Sequence, residues 1–166
     1  AAFTEDGYFR TGDAGSLTDN NEIILTERIK DLYKTSNGKY IAPQMIETRI
    51  AEDKYIDQVA VIGDQRKFVS ALIVPDYEAL KRYATEQGIS FKTVEELVDH
   101  PEINDFISSR IELLQSQFAS YEKIKRFTLL PEPFKVETGE LTNTLKLRRK
   151  VILERYADLI DRMYEG

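Results

Sequence analysis

Two apolar, largely β-branched runs, Ile56–Ile62 and residues 68–74, flank the polar stretch Gly63-Asp64-Gln65-Arg66-Lys67. Strand-forming runs joined by a short Gly-containing polar loop predict a β-hairpin. Neither run alternates cleanly between apolar and polar residues. Neither therefore has a face to spare for water, and the hairpin must lie in a central sheet covered on both sides. The rest of the chain has to supply that cover.

It has the material. Pro43 can open a helix whose Ile46 and Ile50 share one face. Pro75-Asp76 ends the second strand and caps a helix over about 77–87, with Tyr77, Leu80, Tyr83 and Ala84 as its stripe and Gly88 as its stop. Thr93-x-x-Glu96 reads as a capping box. Asp99, Pro101 and Glu102 start a longer helix with Ile103, Ile107, Ile111, Leu114 and Phe118 on one face. Residues 127–130 predict a third strand, ended by Pro131-Glu132-Pro133. A final helix carries Leu145, Ile152, Tyr156, Leu159, Ile160 and Met163 on one face. Upstream, Leu17 and residues 23–26 flank the turn cluster Thr18-Asp19-Asn20-Asn21. The helices are grouped rather than alternating with strands. The expected class is α+β: a small sheet of three or more strands packed against helices, preceded by a short β-hairpin linker. The apolar stripes read as core, and His100 as a surface residue at a helix start.

Composition removes several function classes. The 166 residues carry a net charge of −6, which argues against nucleic acid as the main partner. There is no cysteine and one histidine, so thiol chemistry, disulfides and multi-His metal sites lack material. No apolar run reaches the length of a membrane span, and no signal pattern opens the chain. The default expectation is a cytoplasmic protein. The opening Ala-Ala-Phe-Thr begins mid-pattern, so the chain reads as an excised piece.

Four short motifs remain. Tyr8-Phe9-Arg10-Thr11-Gly12-Asp13 is dense in turn formers and by itself would be a hairpin loop. Arg28-x-Lys30-Asp31 follows a strand-like run. Ser36-Asn37-Gly38-Lys39 superficially suggests a phosphate loop, but the GxxxxGK[ST] frame is absent. Thr142-x-Thr144-x-Lys146 leads into Arg148-Arg149-Lys150. Cations in the first turn of a helix oppose its macrodipole, so this cluster invites an anionic ligand.

In this order and spacing, with Glu47 after the third motif, the chain resembles the end of adenylate-forming acyl-CoA ligases. Tyr40-Ile41-Ala42-Pro43 resembles the long-chain fatty acid form. The resemblance implies a division into residues 1–29, closing the large N-terminal domain, and residues 30–166, a mobile lid with its hinge at Lys30. It implies that Asp13 accepts both ribose hydroxyls of ATP and that Arg28 is the second ribose contact. A carboxylate's two oxygens suit the first task. It implies that Lys146 is the catalytic lysine, touching the carboxylate and the α-phosphate as acyl-adenylate forms. It implies that Ser36, Asn37, Gly38 and Lys39 form the thioester loop over which coenzyme A passes. Asn37 stands where the family commonly has a first glycine, and is expected to serve there as the best non-glycine resident of left-handed conformations. The substrates implied are a fatty acid, ATP with Mg²⁺, and coenzyme A. The partner implied is the enzyme's own N-terminal domain, with room for peripheral membrane association of the whole enzyme. No metal ligand is expected in this stretch. Two alternatives stay open: an adenylating enzyme whose acceptor is an acyl carrier protein, and a non-catalytic binding module that kept the fold.

Overall fold

The computed structural model describes residues 2–165, the side chains of Thr26 and Glu27 excepted. The chain begins with β1 (Asp13–Leu17) and β2 (Ile23–Arg28), a 3-10 turn (Ile29–Asp31), then β3 (Tyr33–Lys34) and β4 (Tyr40–Ile41). Next come α1 (Pro43–Ile50), β5 (Ile56–Ile62), β6 (Val69–Pro75), α2 (Tyr77–Glu86), α3 (Val94–Asp99) and α4 (Pro101–Leu114). It closes with β7 (Ile124–Leu129), α5 (Arg149–Arg155) and α6 (Ala157–Tyr164).

The expected hairpin forms the centre. β5 and β6 pair antiparallel with Val59 opposite Ile73 and Val61 opposite Ala71, and β7 adds to β6 in parallel. The order β5-β6-β7 makes β6 the middle strand, and all of its residues are buried. Alternate side chains of a strand point to opposite faces. Val59, Val61, Ala71 and Ile73 accordingly enter one core, with Ile46 and Ile50 of α1, Leu80 of α2, Leu97 of α3 and Ile103, Ile107 and Ile111 of α4. Ala60, Ile62, Leu72 and Val74 enter a second core, with Leu130, Phe134, Ile152, Ile160 and Met163. This is the α+β arrangement that the two nearly continuous apolar runs pointed to.

Several local expectations change. The third strand begins at Ile124, three residues earlier than the apolar pattern suggested, and takes in Lys125 and Arg126. β7 pairs only with β6, so as an edge strand it tolerates exposed cations. Its start is fixed instead by buried Gln115, whose side chain accepts from the Ile124 amide (2.8 Å) and donates to the Ile124 carbonyl (3.2 Å). Phe118 lies beyond the end of α4 but still packs on the first core. The N-cap of α4 is His100, not Asp99; its Nδ1 accepts from the Glu102 amide. The single final helix is two, with Tyr156 between them at φ −106°, ψ 21°. The backbone ladder persists through the distortion, from Tyr156 N–H to Ile152 and from Ile160 N–H to Tyr156. Leu145 is on neither helix.

The small β1–β2 hairpin forms as expected. Its Leu17, Ile23, Ile24 and Leu25 are exposed. Among the described residues no helix is long and apolar enough to cross a membrane.

If the sheet is buried on both faces, Leu72→Ala and Ile73→Ala should each cost about 2–5 kcal/mol in urea unfolding, because each empties a different core. A cost well below that range for either would mean that its face is not a packed core.

Candidate functional site

Residues 142–146 form a tight turn, not the start of a helix. Leu141 and Leu147 bridge antiparallel and close it. Thr142 holds it from inside: its N–H donates to the Lys146 carbonyl (2.8 Å), its carbonyl accepts from Leu145 N–H (2.8 Å), and its hydroxyl accepts from Lys146 N–H (3.1 Å). The backbone of Lys146 is thus fixed on both sides while its side chain is exposed. Leu145 sits at φ +59°, where a non-glycine residue costs about 1–3 kcal/mol.

Buried Glu140 anchors the turn from below. Its carboxylate accepts from the Thr138 hydroxyl and the Lys135 amide and pairs with Arg155 at 2.9 Å. Its carbonyl accepts from Arg148 N–H at 2.7 Å. Burial pushes the Glu140 carboxyl up, but Thr138, the backbone amides and the Arg155 charge outweigh it and hold the group below the ordinary 4.5.

The cation cluster expected in a helix's first turn is divided. Lys146 and Arg148 precede α5, and Arg149 opens it. The Arg149 guanidinium makes a two-pronged contact with Glu47 of α1, Nη1 to Oε1 at 2.6 Å and Nη2 to Oε2 at 2.9 Å. Glu47 Oε1 also accepts from the Val61 amide of β5 at 2.8 Å. The guanidinium lies over the Tyr33 ring, 5.4 Å from its centroid. Burial works against the Arg149 charge, yet Glu47 more than offsets it and raises the group above its ordinary value. Burial also pushes the Tyr33 hydroxyl up to about 12, against the pull of Arg149. A paired carboxylate thus offsets the unfavourable helix-end cation. The sequence offered Glu47 as a motif residue but gave no sign that Arg149 was its partner.

This pairing shapes a groove of about 780 Å³ lined by Arg28, Lys30, Asp31, Glu47, Lys146 and Arg149, among others. Its Glu47 is already committed to Arg149, so the groove favours an anion. Arg28 and Lys30 also line a neighbouring groove of about 650 Å³ with Thr11, Gly12 and Asp13. Asp13 sits opposite Arg28 in the β1–β2 register, with Arg28 Nε 3.7 Å from its carboxylate. The structure therefore brings Asp13, Arg28, Lys30 and Lys146 along one continuous surface. Among the described residues no group of three or more His, Cys, Asp or Glu is arranged to hold a metal ion.

The loop of Ser36, Asn37, Gly38 and Lys39 does not line either groove. It caps the β3–β4 hairpin and is fastened to the β5–β6 loop: Ser36 N–H donates to Arg66 O (3.0 Å), and the Asn37 side chain donates to Lys67 O (3.3 Å). Gly38 takes the left-handed conformation, φ +77°, with open space where a Cβ would lie. Asn37 does not, contrary to expectation; its use here is the side-chain bond to Lys67. Asn37 and Lys39 line a separate pocket of about 250 Å³ with Lys67, Tyr121, Lys123 and Lys125. Lys39 Nζ lies 5.6 Å from the Tyr121 ring centroid. Four lysines thus concentrate positive charge around one small pocket. The sequence hid it because three of the four lie far from the loop along the chain.

The sequence matches the profile of the AMP-binding enzyme C-terminal domain over residues 30–166. It is 34% identical over 164 residues to the long-chain-fatty-acid–CoA ligase FadD15 of Mycobacterium tuberculosis, covering 98% of this chain and 27% of that protein. It is 36% identical over 168 residues to long-chain-fatty-acid–CoA ligase 1 of Schizosaccharomyces pombe, covering 98% and 25%. The chain thus spans about a quarter of the length of these relatives. Its fold is similar to the adenylation domain of a carboxylate reductase from Mycobacterium chelonae, at TM-score 0.75 and 27% identity, covering 98% of this chain and 24% of that one.

Because the folded Glu140 carboxyl is held low, its stabilisation is complete above the ordinary value and is lost as pH falls through the folded value. Glu140→Gln should therefore lower the urea midpoint at pH 7, and the gap from the unaltered chain should narrow as pH falls below the ordinary carboxyl value. A gap unchanged down to pH 3 would remove the carboxylate from this role.

Proposed function

The chain belongs to the AMP-binding enzyme C-terminal domain family, and on that premise we propose that it is the linker and mobile lid of a long-chain fatty acid–CoA ligase. In this reading the whole enzyme joins a fatty acid to ATP as acyl-adenylate, releasing pyrophosphate. The thiol of coenzyme A then attacks the acyl carbon and AMP leaves. The observation that carries the reading is the pair of separate cationic sites: Arg28, Lys30 and Lys146 on one groove, and the lysines around Asn37 on another.

In the first step a carboxylate approaches an already anionic phosphate. A flexible ammonium with rotating donors suits a transition state with charge spread over several oxygens, and Lys146 is that cation. Its backbone is fixed by Thr142, so the group arrives oriented. Asp13 takes the ribose hydroxyls with Arg28 beside it, and Lys30 is the hinge. Magnesium would accompany ATP; among the described residues no group of His, Cys, Asp and Glu is arranged to hold it, and no step here runs through the metal.

In the second step the other face is presented. Gly38 leaves space for a pantetheine-like chain. The lysine pocket fits a thiol carrier bearing several phosphates, and coenzyme A is such a carrier. Likeness to the carboxylate reductase adenylation domain favours a second reading, in which the acceptor thiol sits on a carrier protein. The first half-reaction is the same in both. Supplying acyl-AMP with either coenzyme A or a carrier protein bearing the phosphopantetheine arm separates them.

In the full-length enzyme Lys146→Ala should slow pyrophosphate exchange into ATP by about a hundredfold to a thousandfold and spare thioester formation from ready-made acyl-AMP. Gly38→Leu should do the reverse. Equal slowing of both steps by Lys146→Ala would end the assignment of two faces, and no exchange by the unaltered enzyme would favour a non-catalytic module.

A further inference from the structure

Leu145 is out of place by local rules. Two other non-glycine residues of the described chain have positive φ, Asn21 and Gln65. Asn is suited to a hairpin turn by its short polar side chain. Gln65 donates to the Lys34 carbonyl from both its backbone and its side chain. Leu145 has neither excuse: φ is +59°, and its side chain is 70% exposed and absent from both cores. Glycine or asparagine would close the same turn with less strain. Strain of this kind persists where it is part of a mechanism.

The neighbour of Leu145 is Lys146, and one residue, Thr142, fixes the backbone of both: its carbonyl accepts from Leu145 N–H and its hydroxyl from Lys146 N–H. Both side chains leave the same turn and both are exposed. We propose that Leu145 is a positioning residue for the adenylation step: its left-handed backbone aims Lys146, and its exposed side chain enters the site beside the lysine and excludes water from the reacting carboxylate. This rests on the adenylation reading above. An ammonium–carboxylate contact is stronger where water is excluded. A mixed anhydride formed there would also be shielded from hydrolysis.

The test uses the full-length enzyme with Leu145→Gly, Leu145→Asn and Leu145→Met. Glycine and asparagine keep the left-handed turn and remove the apolar surface; methionine restores most of that surface. Leu145→Gly and Leu145→Asn should lower kcat of pyrophosphate exchange about tenfold, with KM for ATP unchanged. They should also raise AMP release in the absence of coenzyme A, while the thermal midpoint does not fall in proportion. Leu145→Met should recover both readouts. Wild-type exchange and wild-type AMP release in the glycine and asparagine variants would overturn the proposal, as would losses that track the thermal midpoint. Lys146→Ala in the same assay keeps the two claims apart. If it exchanges at the wild-type rate, the adenylation reading fails. If it is slow while Leu145→Gly is not, only the role of Leu145 fails.

Discussion

The two-pronged contact between Arg149 and Glu47 is the constraint on which the functional geometry depends. Glu47 belongs to α1, is bonded to β5 through the Val61 amide, and faces Tyr33 of β3 through the guanidinium. Arg149 lies three residues beyond Lys146 and opens α5. One ion pair thereby joins the hairpin that carries residues 36–39, the central sheet and the turn that carries Lys146. Replacing a buried pair by apolar residues of similar volume is often neutral, so stability alone is a weak reason for it. Geometry is the better reason. A planar guanidinium gripping both oxygens of a carboxylate fixes direction as well as distance, which a lysine in its place would not.

In the proposed reading, that constraint makes the lid a single body with two working ends, the lysine turn and the proposed thioester loop of residues 36–39. The lysine turn is held from within by Thr142, from below by Glu140 and Arg155, and laterally by Arg149. The thioester loop is fastened at Ser36 and Asn37 to the β5–β6 loop. The β1–β2 hairpin, by contrast, keeps Leu17, Ile23, Ile24 and Leu25 exposed. In the same reading, movement between the two reactions is proposed to occur at Lys30 and not within the lid.

Much of this was legible from residues. The two nearly continuous apolar runs pointed to a sheet buried on both faces, and β6 is buried throughout. Asp13, Arg28, Lys30 and Lys146 were named from local motifs, and they share one surface. What escaped the sequence depended on partners distant along the chain. β7 starts at Ile124 because Gln115 fixes it there, although Lys125 and Arg126 break the apolar pattern. The final helix is distorted at Tyr156 with no glycine or proline to signal it. Arg155 is drawn to Glu140 there, and the Tyr156 ring packs against Phe134. The lysine pocket draws on three segments that only the fold assembles. Leu145 is predicted by the helical period to lie on an apolar face; Thr142 turns it out instead.

The central claim is that the lysine turn and the thioester loop belong to one rigid body. The chain has no cysteine, and Lys67 and Asn143 are both exposed. Spin labels at Lys67→Cys and Asn143→Cys, in a full-length enzyme otherwise free of reactive thiols, report the distance between the two ends by dipolar spectroscopy. The account predicts one distance distribution, the same with ATP and fatty acid as with coenzyme A. A distribution that shifts between the two conditions would contradict it, because the lid would then bend between its working ends.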